Sequence, residues 1–342
     1  MTTQHSPTPT ASAGEWKRIL PGLLISLIAL GVVLFYADLG DVIEALRVAD
    51  YRLIILAPFL FVITVAARGI AWRTILEEQV SYSRVFWTLN EGFLLNNILP
   101  FRLGELGRAF LLSRTSDLRF WQVLSTIVVE RIFDVAMMAT LLLITLPFAL
   151  GADTIWALNS AIIAAFLVIV GFAALYLAAR YPIGVLSLFD KFIGPAKRLH
   201  RFGRPKTEAF LEGLGALTNP WRFLKVLFWM ALMWGINVSW YFLVLRAFIP
   251  DAPILWATFS VGVAALGVAA PSSPAFVGVL EAAVVGALAV FGVDASVALA
   301  YAVVAHAIYF VITVVLGTFA LVRDGASLGQ LYADIRSRAA RE

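Results

Sequence analysis

Between Asn96 and Leu112 the chain reads NNILPFRLGELGRAFLL, which sets Arg102, Glu105 and Arg108 among apolar residues just after Pro100. A charge in hydrocarbon costs at least about 2.5–3.5 kcal/mol, so it persists there with a partner or a task. Charged segments broken by Pro and Gly at membrane depth are how transporters assemble sites from interrupted helices. The planar fork of Arg102 or Arg108 suits a phosphate or carboxylate. Glu105, three residues from Arg108, can hold that arginine or exchange a proton. The alternative is a self-neutralising pair plus an arginine that snorkels to the interface. Asn96 and Asn97 either satisfy backbone groups left open at the break or contact the ligand.

Two further clusters have the same character. In VVERIFDVAMM, Glu130 and Asp134 share a helix face and Arg131 can bridge to Asp134. Glu130 lies about 14 Å into its apolar run, near mid-bilayer. This group reads either as an ion pair locking its helix to the preceding segment or as a proton or cation carrier facing a cavity. In APSSPAFVGVLEAAVVGAL, from Ala270 to Leu288, Pro271 and Pro274 break the helix and Ser272 and Ser273 supply hydroxyls. Glu281 follows about two turns later and needs a partner. Arg102 or Arg108 across a shared cavity is the natural choice; a hydrogen bond to a neighbouring helix is the alternative. His306 reads as a helix–helix contact, with a titrating group as the alternative. The expected substrate-binding set is Arg102, Arg108, Asn97, Ser272 and Ser273, and the expected charge-coupling set is Glu105, Glu130, Arg131, Asp134 and Glu281.

These residues must be positioned by membrane helices. The 342 residues are 61% hydrophobic and 14% charged, against about 45–50% and about 25% in soluble domains. The mean hydropathy is +0.89. With no cysteine and three histidines, disulfides and thiolate chemistry are excluded, and neither metal nor cofactor is expected. The net charge of +4 is read as cytoplasmic loops, not as nucleic-acid binding.

The fold class expected is an all-α polytopic membrane protein. Apolar runs of span length cover 19–36, 53–71, 121–147, 155–179, 222–247 and 297–322. The first is expected as an uncleaved span, since no small-residue cleavage pattern follows it. Two regions, 85–112 and 254–291, are instead pairs of short apolar arms joined at prolines. With the N-terminus inside, 20 of the 26 Lys and Arg fall in inner segments and three in outer ones, with Arg102, Arg108 and Arg131 in the membrane. That asymmetry predicts both termini inside. Segment 85–112 then starts and ends inside, and 254–291 starts and ends outside, so each must be a hairpin, re-entrant or fully spanning. Span, hairpin, span occurs twice with opposite sense, over 53–147 and 222–322, which is the pattern of an inverted repeat. Residues 1–14 read as a disordered tail, 15–325 as one transmembrane domain with a cytoplasmic elbow at 180–221, and 326–342 as a basic cytoplasmic tail.

Asn97, Pro100, Arg102, Gly104, Glu105 and Arg108 resemble the N-x-x-P-x-R-x-G-E-x-x-R signature of the lysylphosphatidylglycerol synthase transmembrane region family. Glu130, Arg131 and Asp134 resemble its E-R-x-x-D element, and Pro274, Gly278 and Glu281 its second hairpin. The resemblance implies lipid translocation, with the two hairpins meeting around a headgroup. Where the family commonly has Pro-Gly-Gly at the second tip, this chain has Pro274, Ala275 and Phe276. The 20 residues after Val322 are too few for the soluble aminoacyl-transfer domain of the fused enzymes, so none is expected in this sequence. The expectation is a flippase-like transporter of the cytoplasmic (inner) membrane, not an enzyme. It would bind a phospholipid or polyprenyl-phosphate lipid, with homo-oligomers left open. The alternatives are a lipid-linked glycosyltransferase, for which Asp38 and Asp41 are the acids on offer, and a non-transporting accessory subunit of a lipid-modifying enzyme.

Overall fold

Short polar side chains start several of the helices. Asp38 accepts from the amides of Gly40 (2.7 Å) and Asp41 (3.3 Å) and begins α2 (Leu39–Val48). Asp50 caps α3 (Tyr51–Ile75) and Ser81 caps α4 (Tyr82–Ile98). Asn219, followed by Pro220 at the first helical position, begins α9 (Pro220–Phe248), and Asp294 begins α12 (Ala295–Arg323). Each such cap satisfies amides that the helix cannot. The other helices are α1 (Ala13–Tyr36), α5 (Leu103–Arg114), α6 (Phe120–Ala149), α7 (Thr154–Arg180), α8 (Pro182–Ile193), α10 (Ile254–Ala269) and α11 (Val279–Ala289). This computed structural model describes residues 13–325 except 100–102, 152–153, 195–199, 202, 205–206, 209–210, 212–214 and 270–272. Among the described residues there is no strand.

Four helices (α3, α6, α9 and α12) are long and apolar enough to cross a membrane. They coincide with the runs expected at 53–71, 121–147, 222–247 and 297–322. The runs at 19–36 and 155–179 fall in α1 and α7. Among the described residues these reach that criterion together with α2 and α8, to which they are bent by 80° and 101°. The count is therefore four spans, or up to six.

The most extensive helix contact is between α3 and α9; α6 packs on α5, α7 and α10, and α12 on α2, α4 and α11. Trp72, Phe133, Trp240 and Tyr301 are fully buried at this centre. Phe35, Ile163, Phe166, Ile169, Phe228 and Val315 point outward, as expected where lipid is the solvent.

Two short-helix pairs sit inside this frame. α4 contacts α5, and α10 contacts α11. The α4–α5 crossing is close because two glycines meet there. A Cβ on Gly104 would collide with the Gly92 carbonyl oxygen and with the Asn96 side chain, whose Oδ1 accepts from Gly104 N at 2.9 Å. The second pair turns through a different device. Ala275, Phe276 and Gly278 all have left-handed φ, at 57°, 64° and 86°. Only glycine adopts that region without cost, so the Gly-Gly of the resembling pattern is the unstrained choice. This chain keeps the conformation with Ala and Phe.

At the chain's middle, α8 leaves Ile183 and Phe192 exposed, and Asp190 gathers His200 (2.7 Å) and Arg204 (3.0 Å).

Candidate functional site

Glu130 is fully buried on α6 and accepts from three guanidinium groups. Arg68 of α3 reaches it at 2.6 Å, Arg108 of α5 at 2.7 Å and Arg131 at 3.0 Å. Asp134, one turn on, takes Arg68 through both amine nitrogens (2.8 and 3.0 Å), Arg131 at 3.2 Å and the Trp234 indole N–H of α9 at 3.1 Å. Arg131 also pairs with Glu105 of α5 at 3.5 Å. Three cations and three carboxylates thus form one cluster that ties α3, α5, α6 and α9. Buried charges persist only when paired and hydrogen-bonded in this way. Behind the cluster, the Arg108 guanidinium stacks on Trp72 at 4.1 Å, and the Trp72 indole donates to Thr126.

The cluster opens on a cavity of about 220 Å³. Arg68 and Arg131 line it, with Thr64 and Phe61 of α3 and Phe93 of α4. From α9 come Trp234, Asn237, Trp240 and Tyr241; Val261, Ala264 and Val268 of α10, Phe276, Leu280 and Tyr309 complete it. The charged groups on its surface are guanidinium groups, and the carboxylates stand behind them. Pockets for drug-sized ligands run about 300–1,000 Å³, so this one suits a headgroup better than a whole lipid. Guanidinium forks can hold an anionic oxygen group there, against aromatic faces. Among the described residues no three His, Asp or Glu side chains gather as a metal site requires.

The expected residues separate into distinct roles. Glu105, Arg108, Glu130, Arg131 and Asp134 do converge. Arg108, however, is buried on Glu130 and does not line the cavity. Asn97 donates to Thr313 at 2.7 Å and joins α4 to α12. Ser273 N donates to Ser26 Oγ at 2.9 Å, tying the second tip to α1. Glu281 pairs with His306 at 2.5 Å, not with an arginine of the first cluster; α12 reaches it first. Arg102 and Ser272 lie outside the described residues.

Arg68 is not among the three arginines expected within the membrane, yet it is central to the cluster. The available signal was its setting. Small residues (Ala66, Ala67, Gly69, Ala71) surround it, and Trp72 shares its helix face one turn on. Asp38 and Asp41 belong to the start of an exposed helix, where Asp38 serves as a cap.

Comparisons with known proteins agree with this picture of a polytopic membrane protein. The chain is 24% identical over 332 residues to a UPF0104 membrane protein of Methanothermobacter thermautotrophicus, covering 91% of this chain and 97% of that one. It is 29% identical over 143 residues to the glycosyltransferase AglD of Haloferax volcanii (40% of this chain, 23% of AglD). It is 26% identical over 134 residues to UPF0104 membrane protein PH1989 of Pyrococcus horikoshii, 37% of this chain and 40% of the relative. The chain thus spans less than half the length of AglD and of the Pyrococcus protein. No solved structure matches it. The model of the lysylphosphatidylglycerol synthase TM region covers residues 19–317, and the chain belongs to that family.

Proposed function

We propose that this protein is a lipid translocator that admits an anionic headgroup to the cavity between its two short-helix pairs, while the acyl chains stay in the bilayer. The observation that carries this reading is the pair Arg68 and Arg131 on the surface of a cavity whose other lining side chains are uncharged and mostly aromatic or aliphatic, each arginine backed by carboxylates. Backing carboxylates keep the guanidinium groups oriented and make their burial tolerable. A phosphate, from a phospholipid or a polyprenyl-phosphate lipid, is the group their geometry fits.

The short helices support re-entry. At 1.5 Å per residue, α4 and α5 are about 25 and 18 Å long, and α10 and α11 about 24 and 17 Å, all short of a 30 Å hydrocarbon core. With the basic residues inside, the two pairs enter from opposite faces as the halves of an inverted repeat, both termini are cytoplasmic, and the site lies near mid-bilayer. The protein needs no chemical step for this activity and is not an enzyme in this reading.

The test is lipid transfer in proteoliposomes. Arg68→Gln and Arg131→Gln are each expected to lower the rate by more than about tenfold, the loss of one charge-assisted contact, with unchanged elution from a sizing column. Wild-type rates in both variants would refute the reading. The likeness to AglD, a named glycosyltransferase, favours a second reading, an integral membrane enzyme acting on a lipid-linked sugar. Sugar transfer by the purified protein that is abolished by chelator would select it.

A further inference from the structure

Behind another wall of the same cavity, formed by Phe276, Leu280 and Tyr309, lies a second pair of titratable groups. Glu281 of α11 and His306 of α12 are buried and meet Oε1 to Nδ1 at 2.5 Å. The other Glu281 oxygen accepts from Gly278 N at 2.7 Å. One carboxyl therefore joins the last long helix to the chain reversal at the second tip. That reversal is held in a costly conformation, with Ala275 and Phe276 left-handed. Phe276 and Leu280 line the cavity, as does Tyr309, one turn from His306. The strained tip that presents Phe276 is thus held by this carboxyl, besides the uncharged Ser273–Ser26 hydrogen bond to α1.

Charge bookkeeping at the pair fixes the sign. A carboxylate beside a neutral imidazole carries a net −1 in a surround of low dielectric, and one added proton makes the pair neutral. A state open to water has no such need. Proton binding and the closed tip must then favour each other, by linkage.

The surroundings leave the pair to set this balance. α9 brings Tyr241, and α12 itself brings Tyr301 and Tyr309; α10 has no ionisable residue, and α1 carries none between Leu24 and Phe35. On α4, Arg84 and Glu91 group with Asp324 beyond the end of α12, about 27 Å from His306 along the helix axis. Arg68 of α3 is engaged in the first cluster, and Asp41, Glu44 and Arg47 of α2 are exposed.

We infer that Glu281 and His306 form a proton-binding site that holds the second tip closed against the cavity, and that loss of the proton releases it. The inference rests on the cavity reading above for its consequence, control of headgroup entry. Its test needs no lipid transfer. The chain has no cysteine, so a single thiol reports cleanly. Val277→Cys places it at the tip, where the side chain is 47% exposed, and Ile183→Cys on α8, 82% exposed, corrects for the reagent's own pH dependence.

The corrected labelling rate at 277 is expected to rise by about threefold or more between about pH 6 and pH 8.5. The rise should vanish when His306→Gln or Glu281→Gln is added. A flat corrected profile in the Val277→Cys protein overturns the proposal, and this arm survives even if the double variants fail to fold. So does a rise that persists unchanged in both double variants. A pH-dependent tip without lipid transfer would remove the transport reading alone; transfer with a flat tip would remove the latch alone.

Discussion

Behind the α3–α6 wall of the cavity, Glu130 takes three guanidinium groups, and Asp134 takes three more contacts from two arginines and one from Trp234. Behind the α11–α12 wall, Glu281 takes one imidazole and one backbone amide. The first arrangement is redundant: each arginine that lines the cavity has more than one carboxylate partner, so a ligand can borrow a contact without leaving a charge unpaired. The second has no such reserve, and it braces a backbone that disfavours its own side chains. Redundant pairing builds a fixed receptor, whereas a single ionisable brace on a strained turn builds a part that can move.

The largest effect should come from breaking the redundant side at its centre. Glu130→Gln takes from the buried Arg108 its carboxylate partner and removes one partner each from Arg68 and Arg131, and is expected to cost about 3–5 kcal/mol, as for a broken buried pair. Heating in detergent should show early aggregation; stability close to wild type would mean that the arginines do not depend on that carboxylate. Next in size is the packing that brings α5 to α4. Gly104→Ala forces a Cβ into the Gly92 carbonyl and the Asn96 side chain and should cost about 1–3 kcal/mol as overpacking. Gly286→Ala on α11, with nothing within 4 Å, should change stability by no more than about 0.5 kcal/mol. Equal effects would erase the difference between a tight crossing and an open one. The smallest effect is a gain. Ala275→Gly relieves a left-handed alanine and should raise stability by up to about 1 kcal/mol, measured by the same melting assay. A loss would argue against the turn as described.

Much of this was legible along the chain. The four long spans α3, α6, α9 and α12 follow from unbroken apolar runs, because a bilayer demands about 20 such residues. Glu105, Arg108, Glu130, Arg131 and Asp134 stood out because charge within those runs is expensive. Family membership was legible from the spacing of the same charges, and the match over 19–317 bears it out. Partnership was not legible. Arg68 looked like the inner flank of a span, and its carboxylates lie 62 and 66 residues away. For Glu281 both an arginine and a neighbouring helix were open as partners, and it is the neighbouring helix that supplies one, through a histidine 25 residues on.

By itself, then, the order of residues determined which long helices are apolar enough to cross a membrane, where charge is carried within them and which helix face each charge occupies, since those depend on local periodicity and the cost of hydrocarbon. Tertiary structure alone decided who neutralises whom, that Arg68 and not Arg108 reaches the cavity, and that a lone histidine braces the second tip. Those outcomes depend on how closely helices cross. Contacts such as Gly104 against Gly92 set that approach, and no periodicity along one helix encodes it.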